Sequence, residues 1–132
     1  MRKLVLAAAV ALPAIAGTLP VAADGFGPVH VAVNTHEHRG RCPVEVIYTA
    51  SINFTLPHPR GFTFSYHWER SDGSKGPSHV VRPGPGERTL VVRDKWRLGG
   101  PGNSYDVSET IHLGSGNERI TESSPTVHIE CR

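Results

Sequence analysis

The chain has 132 residues, with 14 Lys and Arg against 12 Asp and Glu, and a formal net charge of +2. That length suits one domain with a real hydrophobic core. The charge balance, with no evident Lys/Arg stripe, weighs against nucleic acid or an anionic membrane surface as partner.

The N-terminus opens MRKLVLAAAVALPAIAGTLPVAADG. Arg2 and Lys3 precede an uncharged, mostly apolar run from Leu4 to Gly17, and Val21 and Ala23 supply small residues before a cleavage point. This pattern predicts a secretory signal peptide over 1–23 and a mature domain over 24–132. The apolar run is short and interrupted by Pro, so a membrane span is not expected. No Cys lies near the cleavage point, and no second hydrophobic run follows. Loss of Arg2 and Lys3 brings the basic residues level with the acidic ones. Arg outnumbers Lys and Ala, Gly and Pro are abundant, a composition that points to a GC-rich bacterial source.

Beyond the leader, apolar and polar residues alternate with period two, as half-buried strands require. Val29, Val31 and Val33 form the first inward row. The polar HEHRGR follows. Val44, Val46, Tyr48, Ala50, Ile52 and Phe54 form the second row, and PHPRG turns the chain. Phe62, Phe64, Tyr66 and Trp68 form the third, which the SDGSKGP turn ends. The alternation makes this aromatic row core rather than a stacking platform, with Trp68, beside the turn, the expected exception. Ser78–Arg82 reads as a short edge strand before PGPG. Thr89–Leu98 is a strand with Leu90, Val92, Trp96 and Leu98 inward. Asp94 interrupts that face and predicts either a bulge or a buried, hydrogen-bonded carboxylate. GGPGNS turns into a strand carrying Tyr105, Val107, Glu109, Ile111 and Leu113. After a GSGN turn, Val127, Ile129 and Cys131 define the seventh strand.

Seven strands with turns every eight to twelve residues predict an all-β, single seven-stranded antiparallel β-sandwich. YHWERSDGS resembles the third strand and following turn of immunoglobulin-like domains. Leu98, GGPGNS and Tyr105 resemble the tyrosine corner of fibronectin type III modules. The whole is similar to immunoglobulin-like sandwiches of the fibronectin type III or bacterial PKD-like kind. It departs from them in the Leu-to-Tyr spacing, in having a cysteine pair that fibronectin type III modules normally lack, and in the distance from Cys42 to Trp68. Fold likeness alone assigns no function.

Functional chemistry is sparse. No G-x-S-x-G elbow is present, PGPGE does not lead into a helix, Asp72-Gly73 lacks calcium-loop companions, and no short spacing places two acids together. No catalytic residue and no cofactor is expected. His36 and His38 in T-H-E-H share one side of an extended segment, with His128 and Glu130 as further candidate metal ligands. The leading expectation is a secreted, extracellular or periplasmic, non-catalytic module that binds a protein or glycan. Its recognition loops are SDGSKGP and GGPGNS, with Arg70, Asp72, Lys75 and Asn103 as contacts. A metal-binding protein built on His36 and His38 is the alternative.

The two cysteines of a small secreted domain are expected to pair. Cys42 has the inward parity of Val44 and Val46, and Cys131 that of Val127 and Ile129. In a sandwich of alternating strands, the start of the second and the end of the seventh lie at the same pole. A Cys42–Cys131 disulfide follows.

Overall fold

Period-two alternation becomes strand wherever one face can be buried, and the computed structural model, which describes residues 25–132, is all-β. The expected signal peptide lies outside the described residues. Ten strands occur among them: β1 Phe26–Val33, β2 Glu37–Gly40, β3 Val44–Phe54, β4 Phe64–Arg70, β5 His79–Val81, β6 Thr89–Leu98, β7 Ser104–Val107, β8 Glu109–Ser115, β9 Glu118–Ser123 and β10 Val127–Cys131. They form three sheets, ordered β1-β3-β6, β9-β8-β4-β5 and β2-β10-β7. No described helix is long and apolar enough to cross a membrane.

The long β3–β6 ladder runs without a break from Val44↔Leu98 to Asn53↔Thr89. Its inward row on β3, Val46, Tyr48, Ala50 and Ile52, is fully buried. Phe64, Trp68, Ile111 and Leu113 of the four-stranded sheet and Val127 and Ile129 of β10 join the same core. At one end the aromatics interlock edge to face: Phe26 lies 5.4 Å from Phe62 and 5.2 Å from Phe64, centroid to centroid. The third-strand row is therefore core, as its alternation predicts. Trp68 is no exception to it, being buried at 5% exposure. The least enclosed member is Tyr66, which stacks on His79 at the β5 edge, 5.0 Å between centroids.

The seven-stranded, wholly antiparallel arrangement does not hold. HEHRGR contains β2, which pairs in parallel with β10 through His128↔Glu37 to Cys131↔Gly40. ERITES is β9, a strand whose only core contact is Ile120. The expected strand from Tyr105 to Leu113 divides at Ser108: β7 pairs with β10, whereas β8 pairs with β4 and β9. Tyr105 consequently lies in β7, outside the main sheet.

The cysteines are joined: Cys42–Cys131 has a Cα–Cα distance of 5.4 Å and closes a separation of 89 residues. The route is not strand alternation. Parallel pairing places Cys131 opposite Gly40, and Arg132 N donates to Gly40 O at 2.8 Å. Gly99 packs against the bond with φ +107°, and a Cβ there would lie 2.6 Å from Cys131 Sγ, so only glycine fits.

Candidate functional site

β4 delivers Trp68 and Arg70 to the mouth of a cleft, and the turn after it is built to hold its shape. Arg70 N donates to Ser74 O at 2.8 Å, and Gly73 N to Arg70 O at 2.8 Å. Gly73 has φ +93°, a conformation that disfavours any side chain with a Cβ. Asp72 Oδ1 accepts from Ser74 N at 2.9 Å and Ser74 Oγ at 2.7 Å. That hydroxyl, with the backbone bond, holds the Asp72 carboxyl below its ordinary range. Ser71 N donates to Ser108 O at 2.9 Å, and Ser108 N to Ser71 Oγ at 3.1 Å. Residues 71–80 are all exposed, yet the loop's own polar groups fix it.

Arg70 is the centre of the site. Its Nη2 donates to Asp94 Oδ2 at 3.2 Å and to Lys95 O at 3.0 Å, and its Cζ sits 5.0 Å from the centroid of the Trp96 ring. Asp94 stays in the regular ladder opposite Tyr48, so the break in the β6 face is a hydrogen-bonded carboxylate and not a bulge. Below it, the Glu109 side chain has no solvent exposure and lies 3.6 Å from Arg70 Nε. Burial raises its pKa to about 8, helped by the hydrogen bond and charge of Asp94 and opposed by Arg70. Neither Glu109 oxygen finds a donor side chain. A proton on Glu109, which the raised pKa favours, lets one of these oxygens donate to Asp94. Burial, followed by the charge of Glu109, also raises the pKa of Tyr48. The Tyr48 hydroxyl and Trp68 Nε1 are buried without partners.

Trp68, Arg70, Ser74, Lys75, Gly76, Pro77 and Asp94 line a cleft of about 210 Å³. Its volume suits one small group rather than a drug-sized ligand. Glu109 is sealed beneath it and cannot touch a ligand. The arrangement presents a fixed guanidinium and a free ammonium, Lys75, at one opening.

No protein-family model, curated protein or solved structure matches this chain. The geometry of its own side chains therefore carries the functional reading.

Of the residues singled out from sequence, Arg70 and Lys75 share the cleft. Asp72 lines an adjoining depression of about 440 Å³ together with Ser71, Trp96 and Ser104–Val107. Asn103 lines neither. Its backbone clasps the disulfide pole: Cys131 N donates to Asn103 O at 2.9 Å. The candidate metal ligands are not assembled, and no group of three metal-ligating side chains forms among the described residues. His38 pairs with Ile129 and His128 with Glu37, so His38 and His128 face opposite ways. His128 lies between Asp106 Oδ1 at 2.7 Å and Glu130 Oε2 at 2.9 Å, and these carboxylates, Glu130 foremost, raise its pKa. His38 Nε2 meets Arg41 O at 2.9 Å.

Three features escaped the sequence pattern. Asp94 and Glu109 meet although they lie on different sheets; each was visible as an acid at an inward position. His67 and His112, register partners on β4 and β8, stack at 4.8 Å with Glu69 on His112 Nε2 at 2.8 Å. Arg93, Lys95 and Arg97 form a basic row on the outward face of β6, which corrects the reading that no Lys/Arg stripe exists.

Proposed function

We propose that the protein is a secreted, non-catalytic β-sandwich module that binds a protein or glycan of the envelope or extracellular space through the Arg70 cleft and the 71–78 loop. The observation that carries this reading is the fixing of Arg70 by Asp94, Lys95 O and the Trp96 face beside the exposed Lys75. A guanidinium held in place loses little entropy on meeting a carboxylate, sulfate or phosphate. The disulfide and the leader-like N-terminus support an extracellular or periplasmic setting. The orders β1-β3-β6 and β9-β8-β4-β5 support an immunoglobulin-like reading of the two main sheets, with β3 and β6 as strands B and E and β4 and β8 as strands C and F.

The test is binding of labelled mature protein to a glycan array and to envelope fractions of the secreting host. Lys75→Ala is expected to cut binding about tenfold while leaving thermal stability unchanged. Unaltered binding by both Lys75→Ala and Asp72→Ala would remove the cleft and its loop as the recognition surface.

A further inference from the structure

A second surface lies on the other side of β6. In the β3–β6 ladder, Glu45 opposes Arg97, Ile47 opposes Lys95, Thr49 opposes Arg93 and Ser51 opposes Val91. Opposed residues share a face, so Arg93, Lys95 and Arg97 stand in one row on the outside of this sheet. All three are exposed, and none makes a side-chain hydrogen bond or ion pair within the described residues. Their spacing is about 6.6–6.8 Å along the strand, two residues at ~3.3–3.4 Å each. Arg39, by contrast, is held by Glu37 and Glu130, and Arg70 by Asp94. The three cations of β6 stand in a row at the edge of their sheet, on a chain whose formal net charge is only +2.

The geometry points to a binding face for a linear anionic polysaccharide, laid along β6 with its acidic groups on Arg93, Lys95 and Arg97. Charge complementarity selects a polyanion. An extended row along one strand selects a linear one. The neighbouring residues choose between a glycan and a single-stranded nucleic acid. Nucleic acid binding without sequence preference relies on aromatic platforms for the bases, and the residues facing the row across the ladder are Glu45, Ile47, Thr49 and Ser51. The Thr49 and Ser51 hydroxyls make no hydrogen bond within the described residues and suit sugar hydroxyls. This face is separate from the Arg70 cleft, and the two readings stand or fall independently.

The probe is heparin, a sulfated linear glycan, with neutral dextran as the blank and single-stranded DNA as the competitor. Mature wild-type protein is expected to bind heparin with an affinity that falls steeply with salt, because binding releases counterions. The triple substitution Arg93→Gln, Lys95→Gln, Arg97→Gln should weaken binding at least about tenfold and flatten the salt dependence. The triple substitution Arg39→Gln, Arg82→Gln, Arg119→Gln, which removes the same charge elsewhere, should keep most of the affinity. Lys75→Ala should keep heparin binding even if it abolishes cleft binding.

Equal losses in both triple variants would overturn the proposal in favour of net charge alone. Tighter binding of DNA than heparin, with the same dependence on the row, would overturn the glycan assignment. Unchanged heparin affinity accompanied by self-association of the row variant would reassign the row as protection of an edge strand. Circular dichroism of each variant confirms that it is folded before binding is read.

Discussion

Two neighbouring loops look alike in sequence and differ in what they do. SDGSKGP and GGPGNS are both short, polar and glycine-rich, and Ser71, Asp72 and Ser104 border the same depression. The first carries its own bonding network and leaves Lys75 free at a cleft. The second spends its backbone on the disulfide: Gly102 N donates to Cys131 O at 3.2 Å, Cys131 N donates to Asn103 O, and Gly99 lies against the sulfurs. Loop composition therefore does not identify a recognition surface. What distinguishes the loops is whether polar groups and side chains remain available once the fold's own requirements are met.

The largest way to break the comparison is to open the clasp. Replacing both Cys42 and Cys131 by Ser should cost about 3–5 kcal/mol in urea unfolding, since the bond closes an 89-residue separation. The 71–78 loop should keep its binding in whatever fraction remains folded.

Next in size is Arg70→Ala. It strips Asp94 of its charged donor and bares the Trp96 face, and should cost about 2 kcal/mol. Binding at the cleft should be lost with it, whereas heparin binding should not.

A smaller effect comes from Glu109. Its pKa is about 8 in the folded chain against an ordinary 4.5. The folded state holds the extra proton between those values, so stability contributed at low pH is lost as pH rises from about 4.5 to about 8. Glu109→Gln should remove that slope and raise the melting temperature at pH 8 relative to wild type. Comparing the two proteins at each pH cancels the slopes of the other titrating groups, among them His128, whose raised pKa gives a slope of the same sign, and His67, whose lowered pKa gives the opposite one. A wild-type profile that rises across this range while the variant's stays flat would contradict the protonated state of the buried acid.

The smallest effect sharpens the comparison most. Asn103→Ala should leave binding and melting temperature unchanged, because its backbone makes the contacts. Loss of binding in that variant would return GGPGNS to the recognition surface.

Long alternating rows were legible in the sequence. Val44–Phe54, Thr89–Leu98 and Val127–Cys131 all fold as strands, because each has a complete apolar face to bury. HEHRGR and ERITES were not legible as strands. They sit at sheet margins, where hydrogen bonding rather than burial selects the conformation, and their side chains carry almost no period-two signal. The disulfide was legible from cysteine parity, although the parallel pairing that delivers it was not. At the site, the break at Asp94 announced either a bulge or a bonded carboxylate, and the partners that decide it, Arg70 and Glu109, come from strands distant in sequence. The basic row was present as R-x-K-x-R. A count of total charge hides it, because only the strand's alternation brings those three side chains to one face.

The Ser71–Ser108 clasp has a kinetic consequence. Ser108 is where the chain leaves one sheet for another, and two hydrogen bonds tie the loop to that junction. A partner would meet the loop already in its bound shape, with little conformational search before docking. Differences in affinity among close ligands would then show in dissociation rates, with association nearly constant. Ser71→Ala would shift the burden to association, because the loop must first find the shape the clasp now supplies.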